Sequence, residues 1–483
     1  MFSRYIPEMR LTKSNGLTAF VQLWKNNIFA LAMTESKSQS TIGPDEEATR
    51  LLEQKTDIGD FSIDQSSVPR LGFLFFGFVG LLCFNFFLQV IGYLEARTKP
   101  SFISAGNTVY GISNNIGQLL GIFIGSRMPV FTRIWTSCTL IALAAIGFPA
   151  MVNSHVPMGF VSALGITCIL GLGNAIFQSA GFGLAGVVGP KALNYMSFGQ
   201  SVAGLLTWPA LLVLEQIFTN IGLSATRIDR RPSRVDSAAV VTGFAVVAMV
   251  TVSFIPFYAW SLRHNSAVKR GLEVMSQQGP TKASDRRAIP VIVAYTLPLA
   301  VTVWIVLFVT FLAFPSVMLS WEPMHAYPGG PAFYYSMLVY VFQVFDAVGK
   351  FLAIVGVTLS PMQVKVLAPW RFVLALAFFA AQASLPVFNS DVVRILLVAL
   401  LAATNGLYIS WCMIHGPGQV RSSEADIAGS TMSFFLVNGI FFGSLTALII
   451  GTFQKIRPDL AATGTQFVSL AESRDLVHQL GGQ

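Results

Sequence analysis

Long apolar runs separated by short polar segments recur along most of this chain. A membrane-spanning helix needs about 20 mostly apolar residues, so each run predicts one helix. We predict eleven spans, at residues 71–94, 102–125, 134–152, 159–183, 191–219, 237–262, 289–319, 332–356, 368–388, 391–414 and 425–452. The second span is the most polar, because Asn107, Asn114, Asn115 and Gln118 interrupt it. We expect that helix to line a cavity and not to face lipid.

The composition agrees with a membrane protein. Soluble globular domains carry about 25% charged residues, whereas this chain of 483 residues carries 11% and has a mean hydropathy of +0.63. These values predict a polytopic membrane protein whose surroundings are the lipid bilayer. The net charge of +8 is spread over short loops, so we do not expect nucleic-acid binding.

The residues that usually carry catalysis or bind metals lack a recognisable pattern. Four cysteines, Cys83, Cys138, Cys168 and Cys412, lie in apolar stretches without close spacing and are interpreted as small core residues. The five histidines are isolated, and no HExxH, GxSxG or phosphate-binding glycine loop occurs. We therefore predict neither an enzyme nor an ATP-driven pump, and no catalytic residue, metal or cofactor.

Basic residues in the loops predict an orientation. Cytoplasmic loops are enriched in Lys and Arg, and the long loop Arg263–Ala288 contains Arg263, Lys269, Arg270, Lys282, Arg286 and Arg287. A cytoplasmic amino terminus places this loop inside. One loop opposes this orientation, because Arg227, Arg230, Arg231 and Arg234 then lie outside.

The same loop divides the spans into six and five, which suggests two packed bundles around a central path. We predict these segments: a cytoplasmic and partly disordered N-terminal segment 1–70, an N-terminal bundle 71–262, a cytoplasmic loop 263–288, a C-terminal bundle 289–452 and a C-terminal tail 453–483.

An acid and a base lie in the middle of the eighth span. Asp346 and Lys350 are four residues apart and share one helix face, and Gln343 lies one turn before the acid. Charge inside a membrane helix is expensive and is usually retained where it faces a polar pathway or a partner helix. Both interpretations stay open: a substrate-binding pair, or a structural ion pair between helices.

Amides form a second set of buried polar positions. Asn85 interrupts the first span, and Asn174 and Gln178 share one face of the fourth. Amides offer donors and acceptors together and suit a neutral, hydrogen-bonding solute, although they also join neighbouring helices. The run Gly181–Gly189 is interpreted as a ridge of small residues for close helix packing.

Four stretches in the same order resemble the equilibrative nucleoside transporter family over about residues 72–450. They are FQSAGFGLAG (Phe177–Gly186) with MSFGQSVAG (Met196–Gly204), FVTFLAFPSV (Phe308–Val317), FQVFDAVGK (Phe342–Lys350) and Asn405–Gly443 with its acidic loop at Glu424 and Asp426. The loop 263–288 between spans six and seven is the longest between the predicted spans but is short for this family, and in this the chain resembles microbial or protist members more than animal ones. The resemblance implies an all-α polytopic membrane protein with about eleven transmembrane helices in a 6+5 two-bundle, major-facilitator-like arrangement.

The resemblance also implies facilitated transport of nucleosides or nucleobases, including purine uptake, by alternating access. In that family pattern Gln178 contacts the base, Asp346 contacts the sugar hydroxyls and Lys350 lies beside it as partner. Lys350 replaces the usual Arg, Phe84 replaces a Trp, and Gln343 stands where Asn is common. The substrate-binding candidates are Phe84, Asn85, Leu88, Gln178, Gln343, Asp346 and Lys350.

Two other classes remain. A major-facilitator-type carrier of another polar solute, such as a sugar, fits the polar spans, but the loop Gly125–Arg133 lacks the acid that such carriers commonly hold there. A receptor or scaffold would show no uptake. Protons remain a candidate coupled ion, carried by Asp346 or Glu215, and the plasma membrane is the expected location.

Overall fold

A computed structural model of the protein describes residues 63–98, 102–123, 128–153, 160–223, 234–276, 287–325, 330–388 and 390–450. The N-terminal segment predicted to be partly disordered is outside these residues up to position 62, and so is the predicted C-terminal tail. The loop containing Arg227, Arg230 and Arg231 is also outside them.

Eleven long helices account for most of the described chain, as expected where each backbone must satisfy its hydrogen bonds without water. They are α1 Arg70–Arg97, α2 Phe102–Phe123, α3 Val130–Asn153, α4 Phe160–Val188, α5 Pro190–Asn220, α6 Arg234–Trp260, α7 Ile289–Ala313, α8 Gly330–Ile354, α9 Pro361–Gln382, α10 Asp391–His415 and α11 Ser422–Ile450. In the described residues, all of these except α2 are long and apolar enough to cross a membrane. The all-helical membrane fold with about eleven helices is therefore confirmed, and α2 is the polar helix anticipated from its amides.

The largest difference from the predicted spans is at α9. This helix occupies Pro361–Gln382, whereas the hydrophobic pattern predicts 368–388. It starts early because Ser360 caps it in a capping box with Gln363, and Pro361 occupies the first turn. A turn of 3-10 helix containing Pro369 interrupts it before Arg371. Arg371 consequently lies in the middle of the span.

The segment between α6 and α7 contains a short connecting helix, Ser266–Ser276. Asn265 precedes this helix, and its side-chain oxygen accepts hydrogen bonds from the backbone nitrogens of Ala267 at 3.0 Å and Val268 at 3.4 Å. The Asn265 amide donates to the backbone oxygen of Ser67 at 3.1 Å. The predicted loop is therefore partly helical and attached to the segment before α1.

Glycines allow close approach of helices in two seams that matter for the site. On α4, a Cβ added at Gly183 would lie 3.3 Å from the Asp426 carbonyl oxygen, and one at Gly186 would lie 2.7 Å from that of Ala425. Two glycines of the predicted packing ridge Gly181–Gly189 thus allow α4 to approach α11 closely. In the second seam, Gly349 of α8 and Gly406 of α10 each meet the other helix's backbone.

The helices pack mainly with neighbours from the same part of the chain. In the first part, α1 packs against α5, α2 and α3 against α4, and α3 against α6; in the second, α8 and α7 pack against α10. Several contacts link the two parts. Among them, α5 packs against α8 and α10, Asn438 of α11 donates to Asn115 of α2 at 3.1 Å, and Ser179 of α4 bonds Ser430 of α11 at 3.2 Å.

Candidate functional site

The predicted acid–base pair is buried where α5, α8 and α10 meet. Asp346 is 5% exposed and Lys350 is 6% exposed, and the Lys350 Nζ lies 3.1 Å from the Asp346 Oδ2. Two further donors reach the carboxylate: Ser201 Oγ of α5 at 2.5 Å from Oδ2 and Asn405 Nδ2 of α10 at 2.8 Å from Oδ1. The charge is therefore compensated by one cation and two neutral donors from three helices, as a buried carboxylate requires.

The hydrogen bonds continue from Asn405 into the second part of the molecule. Thr310 Oγ1 of α7 lies 2.7 Å from Asn405 Oδ1 and receives a hydrogen bond from Arg371 Nη2 at 2.8 Å. Arg371 is 2% exposed and also donates to the backbone oxygen of Leu401 at 3.0 Å. A second buried cation is thus connected to Asp346 through two neutral side chains.

Gln343 lies one turn before Asp346 on α8, as its spacing predicts. It is half-buried, and its amide packs against Gly204 of α5 so closely that a Cβ at Gly204 would collide with it. Within the described residues this amide makes no hydrogen bond to the protein. The glycine therefore leaves room for a polar side chain with free donors and acceptors beside the carboxylate.

A second polar group lies between α1, α2 and α4. Phe84 is stacked on Tyr110, with ring centroids 4.0 Å apart and an interplanar angle of 10°. The Tyr110 hydroxyl accepts from Asn174 Nδ2 at 2.8 Å and from Asn114 Nδ2 at 3.0 Å. The polar positions predicted on the second and fourth spans thus converge beside the aromatic ring of the first.

Gln178 follows Asn174 by one turn of α4 and is 2% exposed. Asn85 and Leu88 are half-buried on α1, and Leu88 packs against the main hydrophobic core. Among the described residues, neither Gln178 nor Asn85 has a side-chain hydrogen bond to the protein. Both retain the capacity to bind a neutral polar ligand.

The predicted site residues thus fall into two groups. The first comprises Phe84, Asn85, Leu88 and Gln178; the second comprises Gln343, Asp346 and Lys350. No hydrogen bond or ring contact between described residues joins the two groups. The second group gains four residues that were not predicted as candidates: Ser201, Thr310, Asn405 and Arg371. The first three lie inside the motifs that carry the family resemblance.

A separate set of ion pairs involves the acidic loop before α11. Glu424 is fully buried, and its carboxylate accepts hydrogen bonds from Arg287 Nε at 3.0 Å and 3.1 Å and from Nη2 at 2.5 Å. This hydrogen bonding raises the pKa of Arg287 above its usual value. Arg133 of α3 donates to Ser179 at 2.9 Å and interacts electrostatically with Asp426. These contacts join α3, α4 and α11 at one end of the molecule.

Side chains that could bind a metal do not cluster in the described ranges, where no group of three or more His, Cys, Asp or Glu residues has suitable geometry. The four cysteines are free thiols, three of them buried and Cys168 half-buried. They form no disulfide with one another and contribute to packing, as their apolar surroundings predict.

Sequence comparison with known proteins finds equilibrative nucleoside transporters that are similar over most of this chain. The chain is 26% identical to equilibrative nucleoside transporter 1 of Rattus norvegicus, covering 74% of this chain and 86% of that protein. It is 23% identical to equilibrative nucleoside transporter 2 of Homo sapiens, covering 80% and 97% respectively. Equilibrative nucleoside transporter 3 of Rattus norvegicus is 22% identical, with 79% and 88% covered.

Solved structures of similar fold are major-facilitator carriers. The proton:xylose symporter XylE has a TM-score of 0.54 at 12% identity, covering 80% of this chain and 88% of that one. The Escherichia coli fucose:proton symporter FucP has a TM-score of 0.52 at 13% identity, covering 81% and 92%. At this identity the likeness shows the fold alone, and it confirms the predicted major-facilitator-like architecture.

A family model described as nucleoside transporter matches residues 164–452. The match spans α4–α11 and includes Gln178, Asp346 and Lys350. Its members are transporters and not enzymes, in agreement with the prediction from the missing catalytic motifs. Because the match covers more than half of the sequence, this chain belongs to the nucleoside transporter family.

Proposed function

We propose that this protein carries nucleosides across a membrane by alternating access, with Asp346 as the anchor for the ribose. The observation that carries the proposal is the hydrogen bond from the Ser201 hydroxyl to the Asp346 carboxylate at 2.5 Å. A hydroxyl donor already fits this carboxylate from the α5 side. A ribose hydroxyl would form the same charge-assisted bond, which is stronger than a bond between neutral groups.

The base would bind at the first group of residues. Gln178 is buried and makes no hydrogen bond within the described chain, so its amide is available to the edge of a base. Phe84 supplies an aromatic surface, one face of which stacks on Tyr110. Asn85 and Leu88 would complete this subsite with one polar and one apolar contact. Gln343 and Lys350 would lie beside the sugar.

The two-bundle division would provide the moving parts. We propose that residues 71–262 and 289–452 act as the two bundles and that the segment 263–288 between them is cytoplasmic. The packing of α1 with α5 and of α8 with α10 supports this division. We also propose that the amino terminus is cytoplasmic and that the carrier lies in the plasma membrane, so that an epitope before α1 would be inaccessible from outside intact cells.

Transport would be facilitative and independent of protons. Lys350, Ser201 and Asn405 all donate to the Asp346 carboxylate, so the protein supplies the counter-charge of this group itself and the site needs no coupled ion. Nucleosides would bind better than nucleobases, because only nucleosides present hydroxyls to Asp346. Purine and pyrimidine nucleosides share that ribose, so both would be carried.

The test is uptake of radiolabelled adenosine, uridine and hypoxanthine into transporter-deficient cells that express this chain. We expect saturable uptake of both nucleosides, weaker uptake of hypoxanthine, no competition by xylose or fucose, and no effect of a protonophore. Competition by the sugars in place of nucleosides would indicate a sugar carrier. No uptake of any solute, with the protein confirmed at the cell surface by biotinylation, would refute transport.

A further inference from the structure

Arg371 is a buried cation that hydrogen-bonds to none of the predicted substrate-binding residues directly. It lies in the middle of α9, just after the 3-10 turn that interrupts the span, and it is 2% exposed. An arginine at the centre of a membrane helix is costly, and such residues are usually retained for a function or a specific partner. In the described residues no carboxylate forms an ion pair with it, although it interacts electrostatically with Asp346.

A defined order of donors connects Arg371 with Asp346. Asn405 presents its Nδ2 to the carboxylate at 2.8 Å, so its Oδ1 must face a donor. The Thr310 hydroxyl fills that need at 2.7 Å. The same hydroxyl lies 2.8 Å from the Val306 carbonyl oxygen, but it has one proton and can satisfy only one acceptor. Arg371 donates to Thr310 from the other side at 2.8 Å.

The guanidinium engages an oxygen lone pair of Thr310 and so polarises its hydroxyl. With its lone pair engaged by a cation, the hydroxyl becomes a stronger donor. Asn405 accepts that proton and in turn directs its amide nitrogen at Asp346. Rotation of the Asn405 amide by half a turn would place its oxygen against the carboxylate, which is repulsive. The relay of Arg371, Thr310 and Asn405 thus prevents this rotation.

We propose that Arg371 is a positioning residue for sugar recognition, acting through Thr310 and Asn405 to orient the Asp346 carboxylate toward the ribose hydroxyls. This inference rests on the proposed function, because it assigns Asp346 to the ribose. Arg371 touches no substrate itself. A purely structural role is the alternative, since Arg371 also donates to the Leu401 backbone oxygen and so joins α9 to α10.

The test compares Thr310→Val with Thr310→Ser, using uridine and 2′,3′-dideoxyuridine as probes. Valine has nearly the shape of threonine but breaks the relay, whereas serine keeps the hydroxyl. We expect Thr310→Val to raise the KM for uridine roughly 3–10-fold, the value of one hydrogen bond. The KM for the dideoxy analogue, which lacks the 2′ and 3′ hydroxyls, should change less than about twofold, and Thr310→Ser should keep the uridine KM near that of the unmodified protein.

Thr251→Val is the matched control. Thr251 is buried on α6, and its hydroxyl bonds only the carbonyl of Val247 at 2.8 Å, the same bond that Thr310 could make to Val306. It should leave both KM values unchanged. Arg371→Leu provides a second break of the relay, and Arg371→Lys keeps a cationic donor; the first should reproduce the Thr310→Val pattern more strongly than the second.

The outcomes separate the possibilities. Equal losses for both probes in Thr310→Val and Arg371→Leu would show a structural role and overturn the inference while leaving nucleoside transport intact. A normal uridine KM in Thr310→Val would also overturn it. If the unmodified protein takes up neither probe, the proposed function fails first, and the inference fails with it.

Discussion

Replacing Gly406 by alanine tests whether the position of Asp346 depends on close packing of α8 against α10. A Cβ added at Gly406 would lie 2.9 Å from the Lys350 backbone nitrogen and 3.0 Å from the Asp346 carbonyl carbon, and closer still to the Asp346 carbonyl oxygen. These atoms belong to the backbone and cannot rotate away. Because carbon atoms pack best about 3.5–4.0 Å apart and the carbonyl oxygen would be nearer still, the helices must separate by roughly 1 Å or more.

That separation acts directly on the site. Asn405 precedes Gly406 on α10, and its hydrogen bond to Asp346 spans 2.8 Å. Lengthening this distance to about 3.5 Å removes the hydrogen bond. Overpacking costs about 1–3 kcal/mol of stability, and loss of one hydrogen bond to a charged group costs about 1.5–3 kcal/mol. If the second loss falls on substrate binding, apparent affinity drops roughly 10–150-fold.

The assay is saturable uridine uptake normalised to surface protein, together with thermal unfolding of the purified carrier. Gly165→Ala is the control, because Gly165 is also helical but a Cβ there meets nothing within 4 Å. We expect Gly165→Ala to behave as the unmodified protein. If Gly406→Ala reached the surface with normal uridine affinity and normal stability, the argument that this seam positions Asp346 would be refuted.

Two pairs of variants, one at Lys350 and one at Arg287, test the buried charges. Lys350→Gln should reduce uridine uptake at least tenfold, because breaking a buried ion pair costs about 3–5 kcal/mol, whereas Lys350→Arg keeps the charge and should retain most uptake; equal activity of both variants would contradict this. Arg287→Gln should lower the melting temperature of the purified carrier, because the fully buried Glu424 carboxylate loses its partner. The melting temperature of Arg287→Lys should lie between those of Arg287→Gln and the unmodified protein, since lysine keeps the charge but cannot form two parallel hydrogen bonds to the carboxylate. An unchanged melting temperature for Arg287→Gln would show that this pair adds no net stability.

The sequence predicted most of the fold because the bilayer restricts the possible solutions. The length of each apolar run located the helices, and the amides in the second run correctly marked α2 as unusually polar. The start of α9 was missed because the apolar run 368–388 was followed in preference to the capping signal at Ser360, Pro361 and Gln363. The shifted boundary also explains why Arg371 was not selected, because this residue is close to the beginning of the predicted span 368–388 and not in its middle.

For the site, the sequence identified residues whose chemistry is visible locally. Asp346 and Lys350 share a helix face through their spacing, so their contact could be predicted from the chain alone. Thr310 could not, because a single threonine in an apolar helix usually bonds its own backbone. Its role depends on Arg371 and Asn405, which approach from two other helices, and single-sequence patterns contain no information about such contacts.

The most direct test of the account is uridine uptake by the unmodified protein and by Asp346→Asn, side by side in transporter-deficient cells and normalised to surface protein. Asparagine keeps the shape of the side chain but removes the charge on which ribose recognition is proposed to depend. The account predicts saturable uptake by the unmodified protein and at least a tenfold loss of Vmax/KM in the variant, since a charge-assisted bond exceeds a neutral one by about 1.4 kcal/mol or more. Uridine uptake by Asp346→Asn equal to that of the unmodified protein would contradict it.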